Sequence, residues 1–141
     1  DLKKLKKEGS CPMCDLSYAD LHGLNLKKAD LKDANLSHAN LSDTNAHKAN
    51  FYNADLSYAK FNRSDVKGVN FINAILKSVD FTEARLWNTN FAKAKIDNCN
   101  FTDAALGSAI FRDNNLTNST FKGTILYKTI FKRNVLGIPK E

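Results

Sequence analysis

Glycine is scarce in this chain, six in 141 residues, and proline scarcer still, with two. A compact β protein that bends often must then make its turns with something else, and Asn and Asp are the abundant candidates. Although 43% of the residues are apolar, no apolar run approaches the roughly 18 residues of a membrane span, and none is expected. The opening DLKKLKKEGS is basic but lacks the apolar stretch that follows in a secretory signal. Cations exceed anions by only six, 21 against 15, well short of the density of a dedicated nucleic-acid binder. The length suits one domain.

What the chain has in quantity is repetition. From Leu16 onward every fifth residue is apolar, through Leu21, Leu26, Leu31, Leu36, Leu41, Ala46 and Phe51 to Leu126 and Phe131. That series makes 24 central positions without an insertion, so it defines an architecture rather than a local motif. Leu136 continues the series as a twenty-fifth centre. Two residues before each centre stands a small residue, most often Ala, with Asn or Asp commonly between, as in Ala29-Asp30-Leu31. A period of five fits neither a 3.6-residue helix nor a long strand of period two. It fits a short extended side followed by a bend, with the centre and the small residue pointing inward. Such a chain winds, and each coil hydrogen-bonds to the next at about 4.8 Å.

From Phe51 to Phe131, Phe alternates with an aliphatic centre, a second period of ten. A three-sided coil would scatter the rings over every side. A four-sided coil of 20 residues stacks Phe51, Phe71, Phe91, Phe111 and Phe131 on one side and Phe61, Phe81, Phe101 and Phe121 opposite. Stacked rings gain packing beyond their buried area, which favours four sides.

These repeats resemble the pentapeptide-repeat family, whose pattern is A(D/N)LXX, over residues 14 to about 136. The resemblance implies an all-β solenoid, a right-handed quadrilateral β-helix of about six coils with stacked repeats as its only core. Residues 1–13 are expected to form an N-terminal helical cap and a CxxC segment, 14–136 the β-helix, and 137–141 a C-terminal tail. Departures from the pattern occur at Leu24, Val69, Val79 and Asn114, where the small inward slot holds something larger or polar, and at the undersized centre Ala46.

Solenoids need covered ends, because terminal coils expose backbone edge and core. Residues 1 to 8 read as a short helix with Leu2 and Leu5 on one face, ended by Gly9. Cys11 and Cys14 form a CxxC at the seam. A disulfide stapling the cap leads among three readings; two free thiols follow, and redox or metal chemistry comes last. A thioredoxin-like motif needs a strand–helix context, and zinc needs further ligands. Cys99 lies about four coils from Cys14, on the order of 19 Å, too far to pair. The similarity to cyanobacterial and chloroplast-lumen members with a cysteine-bearing segment before the first repeat tilts localisation toward a periplasm or thylakoid lumen. At the other end, nothing after Val135 reads as a cap, so a partner chain or further residues are expected to cover the last coil.

Sorting outward residues by a 20-residue coil shows where charge sits. One face carries Lys27, Lys28, Lys48, Lys67, Arg85 and Lys128 against Asp65 alone. Along the same face, later coils show Trp87, Gly107 and Tyr127 in one column, with Ala105 and Ile125 in the next. Around the corner Ile110 and Ile130 fill slots that Asn50, Asn70 and Asn90 occupy earlier. Outward apolar residues repeated coil over coil form a patch. Gly107 leaves a notch between Trp87 and Tyr127 into which a partner side chain could insert.

No enzyme is indicated. His22, His38 and His47 point outward with no two placed to share a metal, and neither a nucleophile triad nor a Gly-rich phosphate loop can be assembled. No cofactor and no small-molecule substrate are expected. The Asn and Asp before each centre are assigned to bonding turn amides and stacking as ladders. The functional expectation is a non-catalytic scaffold that binds a protein partner, or itself, through Trp87, Gly107, Tyr127, Ile125, Ile110 and Ile130, with Arg85 and Lys128 flanking. The alternative is a binder of nucleic acid or an anionic surface through the basic patch Lys27, Lys28, Lys48 and Lys67. Some family members mimic DNA to protect gyrase; that needs a long acidic surface and a dimerising end, and a net charge of +6 argues against it.

Overall fold

The computed structural model describes residues 1–140. Its repeating unit is a corner. At most centres the carbonyl accepts a hydrogen bond from the amide three residues on, as in Ala19 N–H to Leu16 C=O at 3.1 Å and Ala39 N–H to Leu36 C=O at 3.0 Å. The third residue of nearly every turn is left-handed, as type II turns require. Glycine would be the unstrained choice there, yet the position is held by Tyr18 (φ 59°), Lys28 (φ 59°), Arg63 (φ 58°) and Glu83 (φ 59°). An L residue in this region costs about 1 kcal/mol or more. The coil over-determines it, because the same amide is bonded to the next coil, as in Tyr18 N–H to Ser37 C=O at 2.9 Å.

The Asn or Asp before each centre supports the bend from outside. Its side-chain oxygen accepts the amide two residues on, as in Asp15 to Ser17 at 3.0 Å, Asn50 to Tyr52 at 3.0 Å and Asn100 to Thr102 at 3.0 Å. Asn and Asp thus brace the turns from the strand position and also take the left-handed corner, as Asp33, Asn53, Asn73 and Asp103 do, a place they share with Lys, Tyr and Arg.

Every side of the coil is one short extended stretch whose partner lies 20 residues on. Asp15 pairs with Asn35, Asp20 with Asn40, Asn25 with Asn45 and Asp30 with Asn50, all in parallel, and each of these four ladders recurs down the chain. Where pairing runs longer, the stretches are strands: β1 (Ile75–Lys77) pairs with β2 (Lys95–Asp97), and β3 (Ile110–Phe111) with β4 (Ile130–Phe131). Four ladders with a 20-residue register are a four-sided coil.

Inside it, the rings stack as the ten-residue alternation predicts. Phe61 and Phe81 lie 5.4 Å apart, Phe81 and Phe101 5.1 Å, and Phe101 and Phe121 4.8 Å, with planes within 14°. The second column runs Phe51, Phe71, Phe91, Phe111 and Phe131, and rings of the two columns meet edge to face, as Phe61 and Phe71 do at 83°. Polar residues in the inward slots donate to carbonyls, although Asn114 leaves its buried Oδ1 without a partner. Thr89 Oγ1 reaches Val66 C=O at 3.0 Å, and Asn114 Nδ2 reaches Phe91 C=O at 2.8 Å and Ala94 C=O at 3.0 Å.

The ends differ from the sequence expectation in two places. Helix α1 (Leu2–Glu8) ends on left-handed Gly9 and buries Leu5, as expected. The coil, however, reaches back to Cys11, whose N–H donates to Asp30 C=O at 2.9 Å, and Met13 N–H donates to Lys32 C=O at 2.9 Å. Cys11 fills the centre slot and is fully buried. At the other end Leu136 is not a twenty-fifth centre. One extra residue enters the last turn, so that the left-handed position falls on Asn134 and Leu136 bridges Asn115, 21 residues away rather than 20. Leu136 consequently points outward, 61% exposed, and Val135 packs partly buried against the core. A shift of one residue in an extended stretch exchanges its inward and outward faces.

Candidate interaction surface

The outward slots fall into columns one coil apart, and the expected basic column is polar and wet. Lys27, Lys28 and Lys48 are exposed. Lys67 is half-buried and lies 3.7 Å from Asp65, its ion partner on the same face. No aromatic side chain stands among these lysines.

In the later coils of the same face, Arg85 and Lys128 are exposed, but Trp87 and Gly107 are not arranged as the sequence suggested. Gly107 is buried, and a Cβ placed on it would fall inside the Trp87 ring. Trp87 lies down across Gly107 and is half-buried, so the notch between Trp87 and Tyr127 is filled by the protein's own indole. Glycine is needed here because nothing larger leaves room for the ring. The pair is therefore packing within the monomer.

Exposed apolar side chains gather instead in the last coil. Ile125 is 52% exposed, Tyr127 61% and Ile130 38%. Ile130 pairs with half-buried Ile110, and Ile125 with Ala105, so the apolar columns run over two coils and lie around one corner from each other. Lys128 sits beside them with its Nζ 5.3 Å from the Tyr127 ring centroid, a cation–π contact. Of the residues proposed from sequence, Ile125, Tyr127, Ile130 and Lys128 are exposed and Ile110 is half-buried, on two sides that share a corner, whereas Trp87 packs on Gly107.

Two outward features escaped the sequence reading. Tyr18, His38 and Tyr58 occupy the left-handed corner position in three successive coils and stack, with centroids 4.5 Å and 4.8 Å apart. Their 20-residue spacing was the available signal, but it lies outside the inward periodicity that dominates the sequence. On a neighbouring corner, Arg63 grips Asp43 through Nε at 2.9 Å and Nη2 at 3.0 Å, and His22 Nε2 lies 3.1 Å from the same carboxylate. The Arg63 guanidinium holds the Asp43 carboxyl below its usual range. These contacts link coils and give the three side chains a structural task.

The cysteines are inward. The sulfurs of Cys11 and Cys14 lie at bonding distance with Cα atoms 5.5 Å apart, ordinary geometry for a bridged pair. Cys99 is buried, and burial pushes its thiol up to about 12, so it is protonated and unreactive near neutrality. Among the described residues there is no ligand cavity and no group of three or more His, Cys, Asp or Glu that could hold a metal. Among the described residues no helix is long and apolar enough to cross a membrane.

Comparison with known proteins agrees with this geometry. Residues 64–137 match the pentapeptide repeat region, and residues 14–51 and 34–73 match pentapeptide repeats of eight copies. Among solved structures, a pentapeptide repeat protein from the cyanobacterium Cyanothece 51142 is 23% identical, covers 96% of this chain and 95% of its own, and superposes with a TM-score of 0.61. A pentapeptide repeat protein of the Arabidopsis thaliana thylakoid lumen is 31% identical over 64% of this chain and 67% of its own, with a TM-score of 0.55. None of the curated proteins matches.

Proposed function

The chain belongs to the pentapeptide-repeat family, and on that premise we propose that it is a non-catalytic scaffold, a right-handed four-sided β-helix that binds a protein partner through the apolar surface of its last coil. One observation carries the reading. In slots that the first three coils fill with Asn, Asp, Lys or His, the last coil presents Ile125, Tyr127 and Ile130, all exposed. Isolated apolar residues on a surface need no explanation, but apolar and aromatic side chains gathered at one end of a coil are what marks an interaction surface. We further propose that Cys11 and Cys14 form a disulfide that fixes the first corner beneath helix α1, and that the protein works in an oxidising compartment. Their bonding geometry supports the bridge, and the similar thylakoid-lumen protein supports the compartment.

The test compares two double variants in capture from native extract. Ile125→Asn with Tyr127→Ser removes the apolar surface, whereas Lys48→Glu with Lys67→Glu reverses the basic column. The scaffold reading expects a reproducible partner that the first variant loses and the second keeps. Loss on the second alone assigns function to the basic column instead, and binding to it would weaken steeply with added salt.

A further inference from the structure

Trp87 is the only tryptophan of the chain, and its packing on Gly107 leaves one face of the ring outward. A Cβ on Gly107 would stand 1.7 Å from Trp87 Cζ3 and 2.0 Å from Cε3, so the six-membered ring lies across the outward direction of that backbone. One face of the indole is thereby covered and the other turns to solvent, in keeping with a half-buried side chain. Among the described residues no aromatic ring stacks on it and no Lys or Arg lies over it, although cations do lie over Tyr52, Tyr58 and Tyr127. Coils pair with this one on both sides, Arg85 with Asp65 and with Ala105, so the open face does not depend on either end of the chain.

Cations converge on this ring. Lys67 precedes Trp87 by one coil in the same column. Gly68 leaves the adjoining corner without a side chain, and Lys48 leans over it along the axis, its Cγ 3.2 Å from where a Cβ would stand. Arg85 is exposed on the same stretch, two residues before Trp87. Lys27 and Lys28 extend the track toward the first coil, and Lys128 lies beyond it toward the last. The one carboxylate on this side is Asp65, 3.7 Å from Lys67. Asp30 lies around one corner, and Asp43, Glu83 and Asp103 around the other, with Asp43 already gripped by Arg63. The approach to the ring is therefore positive.

An open ring face among cations selects an anion that carries flat rings. A nucleobase of any sequence stacks on an indole, and its phosphates meet Lys and Arg. A duplex keeps its base faces inside its own stack. An anionic bilayer calls for an apolar side chain that projects, and Trp87 lies flat. An acidic peptide matches the cations but leaves the ring face unused. Among the described residues there is no ligand cavity, so a free nucleotide gains a single stack, whereas a strand running down the axis also meets Lys27 and Lys28. We infer that this side of the middle coils binds a single strand of nucleic acid, with one unpaired base on the outer face of Trp87 and the flanking phosphates on Lys48, Lys67 and Arg85. The site lies two coils from Tyr127 and goes beyond the protein-binding role of the last coil.

The lone tryptophan supplies the readout. An oligothymidylate of about twelve nucleotides is titrated at low salt onto the full chain while Trp87 emission is followed, and affinity is measured in parallel with a labelled strand. Saturable quenching is expected, with affinity falling steeply as salt is added. Trp87→Ala should weaken binding roughly tenfold or more, and Trp87→Phe, which keeps a ring over Gly107, distinctly less. Lys48→Glu with Lys67→Glu should weaken it roughly tenfold or more and flatten the salt dependence. Ile125→Asn with Tyr127→Ser should keep the quenching. Absence of saturable quenching overturns the inference, as does an affinity that Trp87→Ala leaves unchanged, since the contact would then be charge alone. Equal affinity for a duplex of the same length, or equal displacement by polyglutamate, also overturns it. Loss of quenching in the Ile125 and Tyr127 variant moves the contact to the last coil and overturns it as well; the extract experiment decides the protein-binding reading separately.

Discussion

Helix α1 closes the first coil with Leu5 buried at 1% exposure, while the last coil leaves Phe121, Leu126 and Phe131 partly exposed above open amides. Asp1 ties the helix to the coil by accepting the Asp15 N–H at 2.7 Å, and Cys11 and Cys14 are both inward beneath it. The last coil has an extra residue instead, which turns Leu136 outward. The first coil is thus closed by a cap that satisfies edge and core, and the last coil has no such cover among the described residues.

Substitutions can sharpen that contrast. The largest effect is expected inside: Phe81→Ala opens a cavity between stacked rings and should cost ~3–5 kcal/mol in urea unfolding. Phe121→Ala, with no ring below it, should cost distinctly less. Equal losses would mean that the last coil is as well packed as the middle. Next, Gly107→Ala drives a methyl into the Trp87 ring and should destabilise by ~1–3 kcal/mol, whereas Gly9→Ala, with nothing within 4 Å of an added Cβ, meets only the strain of its left-handed backbone.

At the closed end, Cys11→Ser with Cys14→Ser should lower stability by up to about 2 kcal/mol, since the bridge closes a loop of a few residues only. Intact mass and thiol counting without reductant should find one reactive thiol, Cys99, and only after denaturation. Three reactive thiols would show the first corner to be unbridged. Cys99 also sets a pH limit. Its folded value is raised, so its contribution is complete below the ordinary thiol range and is lost as pH rises toward about 12. The smallest effect is expected at Asp43, whose lowered carboxyl contributes above its ordinary range and loses that contribution as the solution is acidified. Comparing melting of the parent and Asp43→Asn across acid pH would show the two curves converging.

Much of the inward structure was legible in the sequence because inward slots are chemically exclusive. A centre must be large and apolar and its neighbour small, so Phe61, Phe81, Phe101 and Phe121 announce their own column and the number of sides. Outward slots tolerate almost anything, and their packing therefore escapes notice. Trp87 and Gly107 read as an open notch because a column of side chains does not reveal that an indole can lie down over the next glycine. Leu136 read as a centre because periodicity cannot register one extra residue in the final turn. Cys11 was missed as a centre because a cysteine in the Leu or Phe slot looks like part of a CxxC motif first and a repeat second. Tyr18, His38 and Tyr58 were spaced correctly for a stack, but the spacing matters only once the corner is known to aim those rings along the axis.

The unequal finish of the two ends is most directly tested by native-state hydrogen exchange down one column of the free protein. Leu86 and Leu106 N–H groups donate to the next coil at 2.7 Å and 2.8 Å, and Leu126 N–H has no such acceptor. The account predicts strong protection at Leu86 and Leu106 and exchange near the unprotected rate at Leu126. Protection of Leu126 equal to that of Leu106 would mean that the last edge is already covered, and would contradict the contrast between the two ends.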